Sequence, residues 1–330
     1  MSHVCRVVLC SALIAVSQAA FAQSGGAANP AAYPSRPVKL VVPVPPGGAA
    51  DFIARTLAPK LSAALGQPVV VENRAGASGT IASDFVAKSA PDGYTLLQNS
   101  ITTHGIGPHL AVKLPYDPMK DLAPVTMLAQ LPLIMTVNAG TPWRSVQDLI
   151  AEARRTPGKI AFASSGKGGA PHLSGELFRL VAGIDLLHVP YKGSGPAVTD
   201  LVGGQVQIMF DGAPSLIAHI QSGKLRVLAA ASASRNALVP DAPTFRELGL
   251  PGIEVALWYG VMVPAATPAP IVARLATEID AALRAPEVVE RFRAQATEPM
   301  GGTPAQAAQF IQAEYARWGD VVRKAGVKPD

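Results

Sequence analysis

Short runs of branched aliphatic residues recur along this chain, each ending in a proline- or glycine-rich loop and followed by a stretch of helical periodicity. That alternation restricts the fold more than any other feature. Val38-Lys39-Leu40-Val41-Val42 runs into Pro43-Val44-Pro45-Pro46-Gly47-Gly48, after which Ile53, Leu57, Leu61 and Leu65 repeat every four residues on one helical face. Pro59 inside that helix predicts a kink or a break. Val69-Val70-Val71 is the next short strand. Strands that alternate with helices pair in parallel, so an α/β protein is expected.

The pattern continues through a helix over 80–88 and strands over 94–97, 125–128 and 132–137. Ser145 and Asp148 then open a helix to about Arg155, at capping-box spacing with Asp in place of Glu. A strand over 160–163 leads into a glycine-rich loop and a helix from Pro171, with Leu173, Leu177, Leu180 and Val181 on one face. Strands over 187–189, 206–210 and 225–230, with helices near 196–202 and 214–221, complete a second α/β unit. Ile253–Val263 is a long apolar segment suited to crossing between lobes, and the remainder is helical. There, Thr303-Pro304-x-Gln306 is a capping box, and Ile311, Tyr315, Trp318 and Val322 form a stripe read as core packing. A chain of 330 residues divides most naturally into two lobes of ordinary domain size. Its 30 glycines and 30 prolines stay below the share that marks low complexity, so disorder and collagen-like structure are excluded.

Arg6 is the one charged residue among the first 22, and the apolar run Val7–Val16 and Ala20-Phe21-Ala22 follow it. This is the layout of a secretory signal cut after Ala22, and the run is too short for a membrane span. Both cysteines, Cys5 and Cys10, fall inside it, so the mature chain is expected to have no disulfide, thiolate metal site or cysteine nucleophile. Without Arg6 the net charge of +5 becomes +4, with no basic run and no interleaved aromatics, which argues against nucleic-acid binding. Residues 23–35 are small, polar and proline-containing, and read as a frayed arm.

Nucleotide and hydrolase motifs are missing. Gly166-Lys167-Gly168 lacks the Walker spacing, Pro171 stands where the dinucleotide fingerprint needs Gly or Ala, and no G-x-S-x-G elbow occurs. The mature histidines His104, His109, His172, His188 and His219 form no metal-binding pair in sequence. No cofactor or metal is therefore expected. Instead, each half carries a strand, glycine loop and helix junction: Pro45-Pro46-Gly47-Gly48-Ala49-Ala50-Asp51, and Ser164-Ser165-Gly166-Lys167-Gly168-Gly169-Ala170-Pro171-His172. Free N–H groups at a helix start bind carboxylate or phosphate, and such loops sit at the carboxyl ends of strands, where α/β sheets take ligands. Each loop taken alone also reads as an ordinary tight turn, Asp51 as a helix-start cap, His172 as a partner of its own loop, Lys192 as a solvated charge and Asp211 as a turn former.

The ordered set of motifs resembles the substrate-binding proteins of tripartite tricarboxylate transporters, the Bug family. It comprises Arg36-Pro37-Val38 through Pro46-Gly47-Gly48-Ala49-Ala50-Asp51 to Gly66-Gln67-Pro68 and Glu72-Asn73-Arg74-Ala75-Gly76; Ala90-Pro91-Asp92-Gly93-Tyr94; Val189-Pro190-Tyr191-Lys192-Gly193; and Asp200-Leu201-x-Gly203-Gly204-Gln205-Val206. The resemblance implies a type II-like periplasmic binding protein with two α/β lobes joined by two crossing strands, a monomer that closes on a small carboxylate. The implied division is 36–132 and 257–330 for one lobe and 133–256 for the other. It further implies that Pro46, Gly47, Gly48 and Asp51 face Ser164, Gly166, Gly168, Gly169 and His172 around one carboxylate, with Gly169 where relatives often carry Ser or Thr. Asn99, Ser100, Thr102, Tyr191 and Asp211 are candidates for choosing among di- or tricarboxylates, amino acids and aromatic acids. The implied partners are integral membrane transporter subunits. A ligand-sensing partner of a receptor and an exported hydrolase are the alternatives.

Overall fold

The computed structural model describes residues 33–111 and 113–326. The signal segment with its cleavage after Ala22, and most of the expected arm, lie outside the described residues. The chain forms two lobes, each built on its own sheet. In the first, β1 (Val38–Val42) lies between β2 (Val69–Asn73) and β3 (Thr95–Ser100), all parallel. Helix α1 (Ala49–Leu65) connects β1 to β2, and α2 (Thr80–Ala87) leads to β3. In the second, β5 (Ala161–Ser164) lies between β6 (Leu187–Pro190) and β7 (Ile208–Gly212), again all parallel. After α3 (Val146–Arg155), its connecting helices are α4 (Ala170–Ala182), α5 (Ser194–Val202) and α6 (Ala213–Gln221), before β8 (Leu225–Ala231).

The strand β4 (Leu122–Asn138) joins the two sheets. Its first part pairs antiparallel with β9 (Ala256–Pro264) over Leu122–Pro132, and its second part with β7 and β8 over Leu133–Asn138. The return crossing is made just before β9. Leu133 N–H donates to the Val255 carbonyl at 3.1 Å and Val255 N–H to that of Ala231 at 2.9 Å. The segments expected over 125–128 and 132–137 are parts of one continuous strand, β4, which contains Pro124 and Pro132. Proline lacks an N–H, and here Pro124 stands beside a register shift while Pro132 ends the pairing with β9. From β9 the chain adds α7 (Ala269–Leu283), α8 (Pro286–Arg293), an unforeseen strand β10 (Glu298–Gly301) on the edge of β4, and α9 (Pro304–Ala325).

Two expectations about helices are corrected. The first helix runs through Pro59 without a break. The carbonyl deprived of its donor belongs to Arg55, on the same exposed face, where water can serve it. In α4 the buried face is not the Leu173, Leu177, Leu180, Val181 stripe: Leu180 is 53% and Val181 39% exposed. The helix is turned by Gly175, where an added Cβ would lie 2.2 Å from the Phe162 ring, and by Phe178, which packs on Phe210 and Phe245. In α9, Ile311, Trp318 and Val322 are buried and Tyr315 is half-buried. No helix among the described residues is long and apolar enough to cross a membrane.

Candidate functional site

The strand order places the site. In the first sheet β1 sends its chain to β2 on one side, and β3 then returns on the other; in the second, β5 sends its chain to β6 and β7 returns opposite. Loops leaving such a pair diverge to opposite faces and leave a crevice at the carboxyl ends of the strands. The crevices of the two lobes meet. A cavity of about 140 Å³ is lined from the first lobe by residues 43–46, Gly48, Ala49, Ala50 and 100–102, and from the second by Ser165, Pro171, 192–196 and Asp211, with Leu257 and Tyr259 of β9 closing it. It opens into a wider space of about 540 Å³ lined by 75–79, Thr102, Gly166, Lys167, Gly169 and Tyr191. The walls touch. The Ser78 hydroxyl donates to the Lys167 carbonyl at 3.0 Å, and a Cβ at Gly193 would stand 3.4 Å from Pro45.

Three helices begin on this cleft without a side-chain cap: α1 after Gly48, α4 after Gly169 and α5 after Gly193. Ala49, Ala50, Pro171 and residues 194–196 put these starts on the cavity wall, and their first-turn N–H groups, which Pro171 and Pro196 lack, have no intrahelical acceptor. Glycine is needed for backbone reasons at Gly47 (φ +95°) and Gly168 (φ +74°), where a side chain would be strained. The fourth wall differs. Ser100 and Thr103 form a reciprocal capping box at an unforeseen π-helical turn, Ile101–Ile106, so this loop offers the Thr102 side chain instead of free N–H groups.

Pro46, Gly48, Ser100, Gly166, Gly169, Tyr191 and Asp211 stand on the walls of this cleft, and Thr102 with them. Gly47, Asp51, Asn99, Ser164 and His172 stand behind it, and Gly168 borders a side cavity with Leu110 and Thr103. Asp51 holds the first loop: its carboxylate accepts from the Gly47 N–H at 3.2 Å, from Arg55 and from Asn73, whose amide also reaches the Val44 carbonyl. Burial works to raise the Asp51 carboxyl, but these hydrogen bonds from Arg55, Asn73 and Gly47 outweigh it and hold it below its ordinary value. The second loop rests on imidazoles. His172 Nδ1 accepts from the Gly168 N–H at 3.1 Å, its ring stacks on His188 at 3.9 Å, and His188 Nε2 meets the Ser164 hydroxyl at 2.7 Å. Burial, aided by the neighbouring His172, pushes His188 down to about 3, so it is neutral at ordinary pH. The side chain of Asn99 lies against Gly260 inside the sheet, where an added Cβ would come 2.7 Å from its Oδ1.

Asp211 is 2% exposed at the floor of the inner cavity. Its Oδ1 accepts from the Gly212 N–H at 2.8 Å, and its Oδ2 has no hydrogen-bond partner. The Ser194 hydroxyl stands near without closing a bond of ordinary geometry. Burial pushes the carboxyl up to about 6, against the opposing influence of Ser194 and Gly212. The Tyr259 hydroxyl is driven far up by burial and then by the Asp211 charge. At the mouth Tyr191 donates to Asp200 at 2.7 Å, and burial followed by that carboxylate pushes its hydroxyl up to about 12. The Lys192 side chain, exposed there, makes no hydrogen bond or ion pair among the described residues. The sequence presents Lys192 only as a solvated loop charge and gives no site signal for the Ser78, Ser194 or Tyr259 side chains. The start of α5 carries the same glycine signal as the other two loops, whereas Tyr259 reaches the cleft through the β-sheet register alone.

Residues 53–327 match the family described as tripartite tricarboxylate transporter family receptor. Protein BugT of Bordetella pertussis is 44% identical over 319 residues, covering 96% of this chain and 98% of that protein. Among solved structures, an R. palustris protein with adipate is 38% identical with a TM-score of 0.87, covering 90% of this chain and 100% of the other. MatC from Rhodopseudomonas palustris with bound malate is 35% identical with a TM-score of 0.83, covering 88% and 100%.

Proposed function

This chain belongs to the tripartite tricarboxylate transporter receptor family, and on that premise we propose that it is a periplasmic solute-binding protein. It captures a small carboxylate between its lobes and delivers it to the membrane subunits of a transporter of this type. The observation that carries the reading is the convergence of the α1, α4 and α5 starts, all without side-chain caps, on one cavity between the lobes. Their N–H groups and dipoles suit a carboxylate oxygen, and lobe closure would remove water from those bonds. The adipate and malate held by two relatives are ligands of that chemistry.

Ligand-stripped protein should be melted with a panel of small carboxylates and their neutral amides. An acid at about 100 times its dissociation constant adds about 2.7 kcal/mol to stability. A rise in melting temperature with an acid and none with its amide is expected; equal shifts for the two, or none across the panel, would remove the carboxylate reading.

A further inference from the structure

Asp211 is out of place in a site for anions. Asp211 is buried and shares the cavity lining with Ala49, Ala50, Pro171 and Leu257, surfaces that leave little water to screen a charge. It is also held in one orientation. Oδ1 is fixed by the Gly212 N–H, and the backbone at Gly212 is packed so closely that an added Cβ would lie 2.4 Å from Leu131. Oδ2 is left as a buried acceptor without a hydrogen-bond partner. Ser194 and Tyr259 line the same cavity and act electrostatically on or with this carboxyl. Lys192 is the one cation among the residues lining that cavity, and it lies at the exposed mouth.

A buried acceptor without a partner is costly, and the cost is removed when a ligand supplies a donor. A ligand carbon at this position would leave Oδ2 unpartnered, and a second ionised carboxylate would meet a like charge in a low-dielectric pocket. The α1, α4 and α5 starts line the same cavity, with Ser194 at the start of α5 beside Asp211, so acceptor and donors share one small space. We infer that the cleft selects a carboxylate bearing a hydrogen-bond donor, a hydroxyl or an ammonium group, and that Asp211 is the residue that reads this donor. The bound acid is therefore a hydroxy acid or an amino acid. This inference rests on the carboxylate reading above. The raised pKa supports it, because a carboxyl at about 6 is ionised in most molecules at neutral pH and accepts strongly.

The test is a calorimetric titration of ligand-stripped protein with acids of matched skeleton, namely propionate, lactate and alanine; succinate, malate and aspartate; and glutarate, 2-hydroxyglutarate and glutamate. In the series that fits, the hydroxyl or ammonium member should bind about 10- to 100-fold more tightly than its unsubstituted parent. Comparing the hydroxyl and ammonium members tells the two donors apart. In Asp211→Asn, checked for folding by its melting curve, that ratio should fall to within a few-fold. Parents that bind the wild type as tightly as their substituted partners overturn the inference and leave the carboxylate reading standing. A preference that survives in Asp211→Asn overturns it too. If none of these acids binds, both readings fail together.

Discussion

The starts of α3 and α9 on the outer surface and those of α1, α4 and α5 on the cleft are finished in opposite ways, while α7 and α8 follow Pro268 and Ala285 with no side-chain cap. On the outside, α3 carries the reciprocal Ser145 and Asp148 box, and α9 the Thr303 and Gln306 box, so the first-turn N–H groups are partly satisfied by the chain itself. On the cleft, α1, α4 and α5 follow Gly48, Gly169 and Gly193, none of which can cap with a side chain. With glycine at the cap position, forgoing a side-chain cap costs each helix a few tenths of a kcal/mol. The loops are instead secured from behind, by Asp51 on Gly47 and by His172 on Gly168. The difference teaches that the cleft starts leave their N–H donors free of side chains, as the proposed anion site requires, and that their loops are held instead by buried side chains behind them.

Exchanging the two finishes gives the largest effect. Gly169 has φ −90° and ψ 171°, and a Cβ would meet Thr102 Oγ1 at an ordinary 3.5 Å, so Gly169→Asp is sterically allowed. Its carboxylate would cap α4 and add about 0.5 kcal/mol to stability. In the same variant acid binding should weaken by about 100-fold or more, because the N–H donors are taken and a charge stands in the cavity. Thr303→Ala should do the reverse, costing about 1 kcal/mol with affinity unchanged. Calorimetry on both proteins reads the two signs, and an affinity in Gly169→Asp close to wild type would break the comparison.

Acid should separate the two regions next. His104, fully buried, and His188 beneath the second loop are both pushed down from 6.5 to about 3, chiefly by burial. Between those values the unfolded chain binds protons that the folded chain refuses, so stability is full above about 6.5 and falls as pH drops, by about 1.4 kcal/mol per pH unit for His104. Asp211 acts in the opposite sense. With its folded value at about 6 and an ordinary value of 3.8, it takes up a proton before the unfolded chain does, and offsets part of the loss over that window. The Asp148 carboxyl of the α3 box is held below its ordinary value by the Arg144 N–H, so that cap survives the same acid. Denaturant melts between pH 7.5 and 4.5 should show stability falling with acid, less steeply in His188→Gln and more steeply in Asp211→Asn. A flat profile would count against the buried neutral imidazoles.

Most of the scaffold is legible in the sequence because burial on two sides demands mostly apolar runs, as in Val38–Val42 and Ala161–Ser164. The capped surface helices are legible too, since Ser145 with Asp148 and Thr303 with Gln306 act within four residues of one another. What escaped depends on tertiary neighbours. Glu298–Gly301 has no strand pattern and pairs because the edge of β4 is there to receive it. Leu180 and Val181 look like core, but Gly175 allows Phe162 a closer approach that turns the helix away from them. In the cleft, glycines stand out as loops that must bend, whereas Ser164, Asn99 and His172 look equally suited to wall or support. Their place behind the wall follows from which face of each strand or helix they occupy, and Tyr259 joins it from the far end of the chain.

The smallest effect concerns Lys192, the cleft charge that no described residue pairs with. An exposed ammonium at the mouth gains little from fixed geometry, and its field is screened within about 8 Å at physiological salt. It acts mainly on the approach of an anion, so Lys192→Gln should slow association a few-fold at low salt and leave dissociation nearly unchanged. Stopped-flow measurements of lobe closure at rising ionic strength should show wild type and variant converging. A loss that resides in the dissociation rate, or persists at high salt, would move Lys192 from the steering rim into the binding wall beside the helix starts.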